Sequence, residues 1–159
     1  MKILAIVAIV VTALSACSTK YGAMGFSGGV VAQPIADNVY RIVARGNGYT
    51  GSTTIQDYAL LKAAETAKAA GYNYFQIISS NNATSTSVGS TPGTSQTSVY
   101  GTMAFTTYSP GVSYDIVKPG QDLYVKVFTL GKGEAPPPAS FSADQIIANI
   151  GPRVERANN

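Results

Sequence analysis

The chain has 159 residues, 12% of them charged, and a formal net charge of +3; it holds no histidine, no tryptophan and a single cysteine, Cys17. Transition-metal sites draw mainly on imidazole and thiolate, so this composition speaks against a zinc or copper centre, and the scattered acids form no calcium loop. No two Lys or Arg residues are adjacent, which leaves no basic patch to neutralise phosphates and speaks against a nucleic-acid partner. Ten tyrosines and abundant Gly, Ser, Thr and Ala suit a folded, β-rich chain, since disorder goes with fewer aromatics and more net charge.

The N-terminus is the most specific signal. Lys2 precedes an unbroken apolar run from Ile3 to Val11, and the apolar stretch ends near Leu14. A spanning helix needs roughly 20 residues, so this segment is too short for an ordinary transmembrane anchor. Small residues at Ala13 and Ser15 would serve a conventional signal peptidase, but Cys17 decides otherwise, because an exported protein rarely keeps an unpaired thiol. Leu14-Ser15-Ala16-Cys17 resembles the lipobox of bacterial lipoprotein signals. The resemblance implies residues 1–16 as a cleaved signal peptide, a diacylglyceryl thioether on Cys17, and a fatty acid such as palmitate on the new amino group. Two or more chains anchor a protein stably where one does so only marginally. By the same resemblance, Ser18 in place of an aspartate directs the protein to the outer membrane.

About 143 residues remain after cleavage, enough for one domain. Residues 17–37 carry Gly22, Gly25, Gly28 and Gly29 ahead of Pro34 and read as a glycine-rich tether; the folded domain is expected over residues 38–159. From Val39 to Arg45 the alternation of Tyr40, Ile42 and Ala44 with Arg41 and Arg45 predicts a half-buried strand, stopped by Gly46-Asn47-Gly48. Thr54 with Asp57 three residues on predicts a capped helix start. The helix continues to Ala70 on good helix formers, with Leu60, Ala63, Ala64 and Ala67 as its apolar stripe, widened by Leu61, and Gly71 as a left-handed end.

Tyr74 to Ser79, with Phe75, Ile77 and Ile78, predicts a second buried strand, and the strand-helix-strand succession suggests a crossover within one sheet. Residues 80–98 are low-complexity Ser/Thr/Asn/Gly and read as a long mobile loop. Further strands are expected over Val99 to Tyr108, Val112 to Val117 and Leu123 to Leu130. Residues 131–140, with Pro136-Pro137-Pro138, read as an extended linker. Ser142 then caps a last helix with Ile146, Ile147 and Ile150, broken by Gly151-Pro152. The expected fold is a small α+β domain of order β-α-β-β-β-α, a mixed sheet packed by one main helix.

Two catalytic expressions occur without their context. Gly25-Phe26-Ser27-Gly28-Gly29 fits G-x-S-x-G, but it lies in the expected tether and the chain offers no histidine to take the serine proton. Gly46-Asn47-Gly48-Tyr49-Thr50-Gly51 fits G-x-G-x-x-G, but the helix starts after the motif and no acid stands between Glu65 and Asp115 to hold a ribose. Asp57 and Glu65 lie two turns apart on one helix, pointing roughly 80° from each other. Capping accounts for Asp57, and Lys68 or Arg41 is the expected partner of Glu65. The tyrosines at 40, 58, 72, 74, 100, 108 and 124 fall on or beside the predicted elements, as packing or as a binding face.

Several motifs form a family pattern: Gly25-Phe26-Ser27, Tyr40-Arg41-Ile42, Gly46-Asn47 with Thr50, Asp57 to Glu65, Gly71 to Phe75, and Ile150-Gly151-Pro152-Arg153. Together they resemble a family of short, functionally uncharacterised proteobacterial lipoproteins, over about a third of the chain. The resemblance implies a small α+β envelope domain and brings no activity, substrate or cofactor with it. The expectation is a lipid-anchored cell-envelope protein facing the periplasm, a binding or assembly module rather than an enzyme. Its one site residue is Cys17, with no catalytic residue, cofactor or metal. Its partners are the membrane, through that lipid, and an envelope protein or the cell wall. The alternative is a carboxylate-based enzyme acting on cell-wall glycan or peptide.

Overall fold

The computed structural model describes residues 17–157; residues 1–16, the expected signal peptide, and the tail Asn158-Asn159 lie outside the described residues. The elements run β1 (Gly29–Ala36), β2 (Val39–Arg45), α1 (Ser52–Ala69), β3 (Tyr74–Asn82), β4 (Ser85–Ser90), β5 (Thr94–Tyr100), β6 (Met103–Ser109), β7 (Ser113–Lys118), β8 (Gly120–Phe128), β9 (Ser140–Ser142) and α2 (Ala143–Ile150), with a 3₁₀ turn at Gly151–Arg153. The chain is α+β, and it divides into two units: one of residues up to Ser85 and from Lys118 onward, the other of Thr86–Val117.

The first unit is a five-stranded sheet of order β1-β2-β8-β3-β9. All its pairings are antiparallel, so the expected mixed sheet is corrected. Because β2 and β3 both run antiparallel to β8 between them, they are parallel to each other, and α1 joins them as the crossover of a split β-α-β unit. The core lies under α1. Ile42 and Ala44 of β2, Phe75 of β3, and Leu123, Val125 and Val127 of β8 meet Ile55, Leu61 and the alanines 59, 63, 64 and 67, all buried. Alanine removes the bulk that would hold a helix off a sheet, and four of them allow close contact. Leu60, expected in the stripe, is only half-buried at its edge.

The ends of α1 follow local chemistry. Gly71 takes φ +84°, its N–H donates to the Lys68 carbonyl at 3.0 Å, and the Tyr72 N–H donates to the Ala67 carbonyl at 2.8 Å. These two bonds make a Schellman motif. The start differs from expectation. Gly51 occupies the N-cap with no side-chain hydrogen bond, three residues before Thr54, so Thr54 and Asp57 form no capping box. At α2 the Ser142 side chain does cap, accepting from the Gln145 N–H.

Four other expectations are corrected. The segment read as a tether is structured: Thr19 and Tyr21 are buried, and residues 29–36 form β1 against β2. Residues 80–98, read as a loop, lie largely in β3, β4 and β5, and the single strand expected over 99–108 is a hairpin. Its turn is Gly101-Thr102, with Gly101 at φ +63° and Thr102 outside the left-handed region, as a type II′ turn requires. Ile78 is exposed because a bulge between Ile77 and Ser79 shifts the register with β8. The order of elements therefore differs from β-α-β-β-β-α by one strand before the helix and several after it. Residues 131–139 carry neither helix nor strand.

The second unit consists of two two-stranded pairs, β4 with β7 and β5 with β6. The β5–β6 register is unbroken from Thr94↔Ser109 to Tyr100↔Met103. Between the pairs, Thr91 and Val112 close on each other, with the Thr91 N–H donating to the Val112 carbonyl at 2.9 Å. Pro92 and Pro110 sit in these connections and not inside a strand.

Candidate functional site

Cys17 is exposed, and the residues after it are fastened to the turn between β2 and α1. The Asn47 side-chain amide donates to the Cys17 carbonyl at 2.7 Å, and the Asn47 N–H donates to Thr19 Oγ1 at 2.9 Å. The Thr19 N–H donates to Thr50 Oγ1 at 2.8 Å, and Thr50 Oγ1 donates to Asn47 Oδ1 at 2.9 Å. Tyr58 completes the knot by donating to the Thr19 carbonyl at 2.8 Å, and burial pushes its phenol pKa up. The glycine motif of residues 46–51 thus binds its own N-terminal segment through Asn47 and Thr50. Ser27 of the other motif offers its carbonyl to Thr19 Oγ1 at 2.6 Å. Both motifs border a hollow of about 440 Å³ that also meets Arg45 and Lys118, with no carboxylate in its lining.

The acids are held apart. Asp57 pairs with Arg153 at 2.8 Å. Glu65 accepts from the Tyr21 hydroxyl at 2.5 Å and pairs with Arg156 at 2.8 Å; neither Lys68 nor Arg41 is its partner. Lys68 pairs instead with Asp144 at 3.0 Å. The Arg156 guanidinium lies 5.1 Å from the Tyr21 ring centroid, and burial, then the Glu65 hydrogen bond and charge, push the Tyr21 phenol pKa far up. Asp122 is buried between Arg45, at 2.6 Å, and Arg41, at 3.1 Å. Burial alone would raise its carboxyl, but the two guanidinium hydrogen bonds and charges prevail and hold it below the ordinary carboxylate range. Among the described residues no three His, Cys, Asp or Glu side chains group as metal ligands.

Exposed large apolar side chains gather on the arm of residues 86–117, which sequence reasoning treated as loop up to residue 98 and as strands over 99–108 and 112–117. No Asp, Glu, Lys or Arg stands between Lys68 and Asp115, so Asp115 is the arm's one charged residue. Yet it exposes large apolar side chains: Val99, Tyr100, Met103, Phe105 and Tyr108 are each 57–74% exposed. Cross-strand partners share a face, which puts Tyr100, Met103 and Phe105 with Ser98 on one side of the hairpin. Val99, Ala104 and Tyr108 lie on the other, beside Thr97 and Thr106, whose hydroxyls are 2.8 Å apart. The signal that would have found this hairpin was the Gly101-Thr102 pair splitting an apolar run.

The seven tyrosines do not form one face. Tyr58 is in the core, and Tyr40 is half-buried against it. Tyr72 donates to Asn38 Oδ1, and Tyr74 stacks on Phe128 with centroids 5.9 Å apart. Tyr124 faces away from the core on β8, while Tyr100 and Tyr108 stand on the arm. No family model matches the chain, no curated protein matches it in sequence, and no solved structure matches its fold.

Proposed function

We propose that this chain is a lipid-anchored cell-envelope protein that faces the periplasm from the outer membrane and acts by binding or assembly, through residues 86–117. The observation that carries the reading is the arm: two-stranded, almost uncharged, and apolar on both faces. An isolated two-stranded hairpin is marginal in water, so such an arm is best explained by a surface that covers it. The lipobox supports the anchor, and Ser18 supports the outer membrane. An exposed Cys17 whose carbonyl is held by Asn47 is compatible with an acyl-bearing residue at the start of the folded part. The pairing of Asp57, Glu65 and Asp122 with separate arginines favours binding over carboxylate catalysis.

Mass spectrometry of the mature N-terminus tests the anchor directly, with a triacylated Cys17 the expected species. Cys17→Ala is expected to move the protein from the membrane to the soluble fraction. Retention of that variant on the membrane would show that the anchor is misassigned.

A further inference from the structure

We propose that the arm of residues 86–117 pairs edge to edge with the arm of a second copy of this chain, an inference that rests on the assembly reading and names its partner. The argument starts from the backbone. In a two-stranded sheet every strand keeps one edge of unpaired N–H and C=O groups, and both β5–β6 and β4–β7 are two-stranded. Folded proteins normally blunt such edges with lysines, inward charges, prolines or bulges. The β5–β6 pair has none of these: no charge, no proline within a strand, and no break in register. The chemistry that satisfies a bare edge is another strand.

Burial in lipid alone does not satisfy it. An open edge in hydrocarbon leaves each backbone group unpaired at a cost of several kcal/mol, so only sheets with every edge paired persist there. In water the same hairpin is marginal. Both environments therefore call for a partner strand. Charge selects a second copy: an arm with several charges of one sign would repel its own duplicate, whereas this one brings only Asp115, outside the β5–β6 pair. A contact in which one edge strand meets its own duplicate closes with two-fold symmetry, whereas β5 against β6 of the next copy would propagate into a larger assembly. Anchoring to one surface raises the local concentration of copies, as tethering does for any linked pair.

The test uses the full-length acylated protein in mild detergent and in phosphatidylethanolamine–phosphatidylglycerol vesicles, with mass read by light scattering and by cross-linking. Wild type is expected to form a dimer or larger assembly. Ser95→Lys on β5 and Thr107→Lys on β6, singly and together, place a charge on each edge strand without touching the core of the first unit. They are expected to reduce the mass to that of one chain, with the thermal melt of the helical circular-dichroism signal unchanged. A monomeric wild type, or an assembly that survives both lysines, overturns the proposal. The chain contains no tryptophan, so Tyr100→Trp gives a single probe: a vesicle-dependent blue shift in monomeric protein overturns it in favour of the bilayer. Soluble Cys17→Ala protein is measured in parallel. Arm pairing and acylation are then read separately, and a failure of one leaves the other standing.

Discussion

Asp122 shows how one residue makes folding sensitive to acid. Its carboxylate is buried on the sheet between Arg41 and Arg45, and its folded pKa lies below the unfolded value. A depressed folded pKa means the group contributes stability that is fully present above the unfolded pKa, about 3.9, and is lost as pH falls through the lower folded one. Asp122→Asn is therefore expected to cost about 1–2 kcal/mol at neutral pH, discounted because both arginines are a third exposed. Its melting temperature should converge on that of wild type as the pH drops below the carboxylate range. Thermal denaturation across pH 2 to 7 measures this; parallel curves for the two proteins at every pH would contradict it. Glu65 teaches a related lesson. Its partner, Arg156, lies 91 residues away, and Lys68 one turn along the helix is drawn instead to Asp144. Sequence spacing favours the near partner, but the fold brings a C-terminal arginine within reach.

At the scale of elements, glycine divides what the sequence reveals from what it conceals. Gly28 and Gly71 both hold positive φ, +104° and +84°. A Cβ on Gly28 would stand 2.3 Å from the Arg45 carbonyl oxygen, whereas one on Gly71 would meet nothing within 4 Å. Gly71→Ala is therefore expected to cost about 1 kcal/mol, the conformational penalty alone. Gly28→Ala should cost about 2–4 kcal/mol, because strain and a backbone clash add. Chemical denaturation of the two variants measures the gap, and equal costs would refute the assignment of Gly28 to a close approach. The same contrast explains the misread tether: its glycines serve chain contact, not freedom. Strand β2, helix α1, the start of β3 and helix α2 were legible because their apolar residues repeat with the right period. The Ser/Thr-rich strands β4 and β5 were not legible, since hydroxyl side chains exposed on both faces leave no alternation to read. The partners of Asp57 and Glu65 were equally hidden, because Arg153 and Arg156 reach them only by folding back over α1.

For the whole molecule, the two units differ in what they bury. Among the described residues, every member of the hydrophobic core belongs to the first unit, from Tyr21 to Ile150, and none lies between 86 and 117. Hydrophobic burial supplies most of the stabilisation of a fold, so the arm contributes little to the stability of the rest. The first unit also offers a natural point of closure. Asn82 pairs with Gln121, and beyond that pair the Ala83 N–H donates to the Gly120 carbonyl at 2.9 Å. Replacing residues 84–119 with Asn-Gly between Ala83 and Gly120 would join β3 to β8 by a type I′ hairpin turn, whose twist matches that of the flanking strands. The shortened protein should keep its helical circular-dichroism signal, and its denaturation free energy should stay within about 1 kcal/mol of the full chain. On the proposed anchor and arm pairing, it should be acylated and fractionate with the membrane, yet exist as single chains. A collapse of the helical signal would mean that the arm is needed for the fold itself. In that case its bare edges would be a structural requirement, and their exposure would say nothing about a partner.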